Sequence, residues 1–132
     1  IGVRLVGSEM CIRDSYNAAS DYRLKENVVP FTGAAAIINR LRPVTFNFIL
    51  YPNDRQVGFL AHEVEEVIPC AVAGKKDSVD EDGDIIPQGL DVSYMVPYLV
   101  QCCQELLLRV SKLEAQLAAV EAVPSVAAGL KH

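Results

Sequence analysis

The sequence predicts an α+β protein: a small head with a β-hairpin and short helices, then a long C-terminal coiled-coil helix, read as trimeric. Three observations carry that expectation. VTFNFIL (44–50) alternates apolar and polar residues, and QVGFLA (56–61) returns after the turn chemistry of YPND, as the two strands of a hairpin do. HEVEEVIP (62–69) reads as a short amphipathic helix stopped by Pro69, with Val64, Val67 and Ile68 inward. From Ser93 onward, apolar residues recur at alternating spacings of 3 and 4 without a break.

The chain is taken in order. LVGSEMCIRDS (5–15) has neither helical nor strand periodicity. It resembles the translation of a transposon-type adapter used in sequencing libraries. Residues 1–15 are therefore read as adapter-derived and set aside from fold reasoning. Residues 16–20 become a remnant of an upstream segment, 21–92 the head, 93–122 the coiled-coil helix and 123–132 a flexible tail.

SDYRLKENVVPFTG (20–33) is polar, then apolar, and is broken by Pro30 and Gly33. Thr32 is the expected cap of a helix over 34–41, with Ile37, Ile38 and Leu41 on its apolar stripe and Pro43 as its stop. KKDSVDEDGD (75–84) is a charged surface loop. It lacks the distal Glu that a 12-residue EF-hand loop needs. IIPQGLDV (85–92) is a second short extended stretch. Asp91 or Ser93 then caps the long helix, where Pro97 is tolerable only in the first turn.

With Val96 at heptad position a, the a residues are Val96, Cys103, Val110 and Leu117, and the d residues are Leu99, Leu106, Leu113 and Val120. This mixture does not choose cleanly between two and three strands. Val100 and Leu107 at e widen the apolar face near the helix start. A wider face suits a trimer, or docking of 96–108 onto the chain's own head. Beyond Val110 the seam is narrow and flanked by Arg109, Lys112, Glu114 and Gln116, which favours the coiled coil there.

Composition narrows the function classes. A formal net charge of -5 argues against a sequence-independent grip on nucleic acid. No apolar run approaches the roughly 20 residues that cross a bilayer, so no membrane partner is expected. Residues 1–6 are too short for a signal peptide. The four cysteines, Cys11, Cys70, Cys102 and Cys103, show no metal-ligand spacing. Reduced, partly buried thiols are expected, with no metal and no cofactor.

One constellation carries chemistry. In SDYRLKEN, Ser20 precedes Lys25 by five residues and adjoins Asp21. A serine hydroxyl becomes a nucleophile when a base takes its proton. A lysine can be that base when burial or a neighbouring cation favours its neutral form, and Arg23 is such a neighbour. On a helix, five residues at about 100° each would set the two side chains about 140° apart. Ser20 must therefore lie on a turn or an extended arm, or meet a lysine of another subunit. Arg23 and Glu26 either orient the pair or form an exposed ion pair. His62 could polarise a carbonyl or relay a proton, but a polar residue on the outer side of a short helix is the favoured reading. Arg40 and Arg42 read as structural or subunit-contact residues.

Four blocks in order carry a resemblance: SDYRLKENV (20–28), INRLRPVTFNF (38–48), QVGFLAHEVEEVIPCAV (56–72) and LDVSYMVPYLVQCCQELLLRVSKLEAQL (90–117). Together they resemble the intramolecular chaperone auto-processing domain found at the C-terminus of phage tailspikes and tail fibres, including endosialidases. A similar module occurs in the myelin regulatory factor family. The resemblance implies a homotrimer that helps an upstream client fold and then releases itself. It implies a cut between Ser20 and Asp21 by a Ser20–Lys25 dyad, in a single turnover. Its partners would be copies of itself and the upstream part of the same polypeptide. It would act in the host cytoplasm during virion assembly, with the parent protein in the virion tail. The alternatives are a non-cleaving trimerisation module of a tail fibre and a plain coiled-coil adaptor.

Overall fold

The computed structural model describes residues 19–123. The adapter-like stretch, Cys11, the upstream remnant before Ala19 and the tail beyond Val123 lie outside the described residues. The class is α+β, as predicted. In chain order come a 3-10 turn (Tyr22–Leu24), α1 (Ala34–Ile38), β1 (Val44–Phe46), β2 (Gln56–Gly58), α2 (Ala61–Glu65), a 3-10 turn (Pro69–Ala71), β3 (Val72–Ala73), β4 (Gly89–Leu90), a 3-10 turn (Val92–Met95) and α3 (Val96–Ala122).

The predicted hairpin forms, but shorter. β1 and β2 pair antiparallel with Val44 opposite Gly58 and Phe46 opposite Gln56. Val44 and Phe46 are half-buried and Thr45 is exposed, as the alternation requires. The strand stops before Phe48, because Tyr51 N–H closes a turn onto the Phe48 carbonyl. Phe48 instead sets its ring edge-on to Phe46, with centroids 5.3 Å apart. Gly58 gives that packing room: a Cβ there would lie 3.1 Å from the Phe46 ring.

Thr32 does not cap α1. Gly33 holds the cap position with φ 84, a left-handed backbone that only glycine adopts freely. It has no side chain to offer, so the opening N–H groups take acceptors from α3 instead: Gly33 and Ala35 donate to Glu105, and Ala34 donates to Gln101. The helix ends at Ile38, short of the expected Leu41, as Arg40 and Leu41 tighten into bonds onto the Ile37 and Ile38 carbonyls. Leu41 still packs on the core.

Val64 and Ile68 are buried and Val67 half-buried, the inward face expected of 62–69. β3 and β4 form a second two-stranded ladder, Val72 opposite Leu90, which places the extended stretch 85–92 beside a strand the alternation did not reveal. Between them, the 75–84 loop is exposed apart from Ser78, as expected. Asp80 accepts from the N–H groups of Asp82 and Asp84, and a Val79–Ile85 bridge closes its base. Asp91 caps the start of the C-terminal helical region, accepting from both N–H and Oγ of Ser93, and Pro97 falls in the first turn of α3.

The core is small. Among the described residues, Ala34, Val64, Ile68, Ala71 and Met95 are buried. Around them pack Ile37, Leu41, Phe59, Val67, Val72, Leu90, Tyr94 and Tyr98. None of the α3 residues is buried. The a and d positions stay open, from 48% exposed at Leu99 to 68% at Val120, and Val100 and Leu107 are exposed beside them. Docking of the seam onto the chain's own head therefore does not occur. The head meets α3 through the side that carries Tyr98, Gln101 and Glu105, at heptad positions c, f and c.

Cys102 and Cys103 are free thiols, as expected. Cys70 is half-buried.

The small core makes its contributors unequal. Ile68→Ala should lower unfolding free energy by about 2–5 kcal/mol. Ile49→Ala, at a side chain 94% exposed on the hairpin turn, should stay within about 0.5 kcal/mol. Urea denaturation of both variants checks the contrast.

Candidate active site: the Ser20–Lys25 turn

The helical objection to Ser20 and Lys25 dissolves in the local backbone. Only Tyr22–Leu24 is helical, and it is a 3-10 turn. Asp21 before it and Lys25 after it are both extended, at φ -66, ψ 130 and φ -121, ψ 149. Leu24 N–H bonds to the Asp21 carbonyl and Lys25 N–H to the Tyr22 carbonyl. The chain is thereby folded back on itself within six residues. Lys25 Nζ lies 2.6 Å from Ser20 Oγ. A protonated ammonium donates in that contact; a neutral amine accepts the hydroxyl proton across the same distance.

Asp21, on the other side of the Ser20 carbonyl, is clamped. Its Oδ1 accepts from Arg23 N–H at 2.9 Å and Arg23 Nε at 2.9 Å, and its Oδ2 from Arg23 Nη2 at 2.8 Å. All three are charge-assisted or capping bonds to an ionised carboxylate. The Arg23 guanidinium and backbone N–H hold the Asp21 carboxyl below its ordinary range. The same pairing corrects the expected role of Arg23. Its charge is spent on Asp21, so it is not an uncompensated cation beside Lys25, and its ion-pair partner is Asp21 rather than Glu26. Asn27 then turns the chain with φ 56, a left-handed conformation its short polar side chain tolerates.

Every residue from Ala19 to Gly33 is exposed. Among the described residues the arm is held at its downstream end, where Phe31 sets its ring edge-on to Tyr98, centroids 5.1 Å apart, and the N–H groups of Gly33–Ala35 meet Gln101 and Glu105.

The other candidates lie elsewhere. His62 sits on α2, half-buried, and lines an open groove of about 620 Å³ with Lys75, Ser78, Val79 and Gln88. Among the described residues, no hydrogen bond joins it to Ser20 or Lys25. Arg42 is structural within its own chain. It makes a two-pronged bond to Glu63, 2.6 and 3.1 Å, tying the residue before Pro43 to α2. That clamp lowers the Glu63 carboxyl from its ordinary range, chiefly through the side-chain hydrogen bond. Arg40 donates to the Glu66 carbonyl at 3.3 Å. Gln101 and Glu105 were not among the residues singled out by sequence. Two polar residues on the outer side of a coiled-coil pattern carry no signal that they cap a helix 67 to 72 residues away.

The Asp21 clamp has a testable sign. A carboxyl held below its ordinary value contributes above that value, and loses its contribution as pH falls through the lowered one. Carbon-detected NMR titration should find Asp21 titrating below the 3.8 of an unperturbed aspartate. Arg23→Ala should return it toward that value, whereas Glu26→Ala should leave it unmoved.

Comparison with known proteins agrees with the position of this turn. Among curated proteins, none matches the chain significantly. A family model described as chaperone of endosialidase, and classed by name as a peptidase, matches residues 20–73. The match opens on Ser20, covers the turn, α1, the hairpin and α2, and ends at β3, before α3 begins. From Ser20 to Ala73 the chain is therefore similar to the chaperone-of-endosialidase family.

Proposed function

We propose that this protein is a self-cleaving intramolecular chaperone of a phage tail protein. Three copies assemble through the α3 seam, hold an upstream client in register while it folds, and then cut the bond between Ser20 and Asp21. The observation that carries the reading is the 2.6 Å contact between Lys25 Nζ and Ser20 Oγ, at the first residues of the family match. Neutral Lys25 takes the Ser20 hydroxyl proton, Ser20 Oγ bonds to the adjoining carbonyl carbon as the C–N bond to Asp21 breaks, Lys25 returns the proton to the leaving amine, and water then opens the strained ester so formed. Overall, one water adds across that bond. The products are a new carboxylate at Ser20 and a new amine at Asp21. The clamp on Asp21 holds the leaving residue still while this happens.

Assembly is supported by the open seam of α3. A continuous apolar stripe of this length on one helix marks an interaction surface. Joining three chains at their C-terminal ends raises the effective concentration of the client segments for one another. Cutting afterwards leaves the client's stability to its unfolding rate. The seam by itself would equally serve a trimerisation module that never cuts. The Ser20–Lys25 contact favours the cutting form.

Two measurements test the reading. Mass spectrometry of the purified full chain should find a fragment whose N-terminus is Asp21. Ser20→Ala and Lys25→Ala should each remove that fragment, and a wild-type chain that stays whole would sink the proteolytic claim. Sedimentation should give a three-copy species at micromolar concentration. Leu113→Glu, at a side chain 62% exposed in the single chain, should disperse it to monomers without unfolding the head. An unchanged species after that substitution would remove the seam from the interface.

A further inference from the structure

From the anchoring of the arm we infer that Glu105 and Gln101 are positioning residues for the cut. They fix the downstream end of the Ser20–Lys25 arm to α3, so that the arm takes its place relative to the assembled helices. The inference rests on the self-cleaving reading above.

The first ground is where, among the described residues, the arm is held. Residues 19–33 are exposed throughout, and the 3-10 turn makes no buried contact. Order along the arm begins at Phe31 and Gly33. There, Gly33 N–H donates to Glu105 Oε1 at 2.7 Å, Ala34 N–H to Gln101 Oε1 at 2.8 Å, and Ala35 N–H to Glu105 Oε2 at 3.3 Å. Both carboxylate oxygens of Glu105 are thus engaged within the first turn of one helix. The second ground is that α1 has no cap of its own, since Gly33 carries no side chain. Removing the α3 acceptors would leave three N–H groups at the start of α1 without these partners, beside the buried Ala34.

The third ground is the face of α3 involved. Tyr98, Gln101 and Glu105 lie at positions c, f and c, on the side away from the a and d seam. The same two turns that include Leu99 and Leu106 of the seam also carry the acceptors. A seam closed by other copies would fix the axial and rotational setting of α3. The bonds from Glu105 and Gln101 pass that setting to Gly33, and hence to the arm. A serine-lysine pair exposed on a single chain is in this way delivered to one place on the assembly.

The test measures the first-order appearance of the Asp21 fragment in the full chain, with sedimentation run on each variant. Glu105→Ala should slow cleavage by tenfold or more while leaving the oligomer intact. Glu105→Gln keeps an acceptor oxygen for Gly33 and should restore the rate to within threefold of wild type. Gln104→Ala, on the exposed position between them, should cleave at the wild-type rate. A Glu105→Ala chain that assembles and cleaves within twofold of wild type would overturn the inference, as would a Glu105→Gln chain no faster than Glu105→Ala. If Glu105→Ala does not assemble, Gln101→Ala decides: severalfold slower cleavage in an intact oligomer supports the role, and an unchanged rate overturns it. A wild-type chain that never yields the fragment would fail the self-cleaving reading itself and take this inference with it.

Discussion

The N-terminus of α1 is the joint on which the head depends. A five-residue helix cannot hold itself together in water, because too few intrahelical bonds offset the cost of starting it. Its opening N–H groups also need acceptors. Here those acceptors come from Gln101 and Glu105, and the bonds place Ala34 against α3 and bury it. The chain downstream follows from that placement. Ile37 and Leu41 reach the core cluster, Arg42 reaches Glu63, and the hairpin leaves from a fixed point. Upstream, the arm departs from the same joint.

α3 is consequently used on two sides for different purposes. One side, through Tyr98, Gln101 and Glu105, receives the head. The other presents eight apolar or thiol side chains in heptad order and covers none of them. Gln101 at f and Glu105 at c serve as hydrogen-bond acceptors for the head, while the leucines and valines at a and d keep about half or more of their surface exposed within one chain. A core of five buried residues is meagre support for a head with many exposed apolar side chains. Covering the seam would relieve that imbalance, which is why the proposed assembly fits the energetics of the fold as well as its pattern.

What could be read in the sequence tracks how local each feature is. The hairpin, the inward face of 62–69, the Asp91 cap and the place of Pro97 depend on neighbours within a few residues, and all appear. The Ser20–Lys25 pair is legible as chemistry, but the sequence leaves open a turn, an extended arm or a lysine of another subunit, and the 3-10 turn that joins the pair within one chain is a finding of the structure. Thr32 was misjudged as a cap because the competing acceptors are far away in sequence. In sequence Arg23 reads, with Glu26, as orienting the pair or forming an exposed ion pair; its ion-pair partner is Asp21, which also receives its backbone N–H. β3 escaped notice because two residues are too few to show alternation.

The exposure of the Ser20–Lys25 turn bears on when the proposed cut would occur. A lysine works as a base in its neutral form, and exclusion of water favours that form. The turn supplies distance and orientation from six residues of local sequence, but a single chain supplies no shelter. Geometry is therefore present from the start, and shelter is the variable that assembly adds. A site built this way would stay idle on a lone chain, where cutting would strand an unassembled client. It would act once neighbouring copies covered the arm. In the proposed reading, the division between a locally encoded serine-lysine pair and a remotely encoded setting would let one sequence fold first and cut second, without any separate timing device.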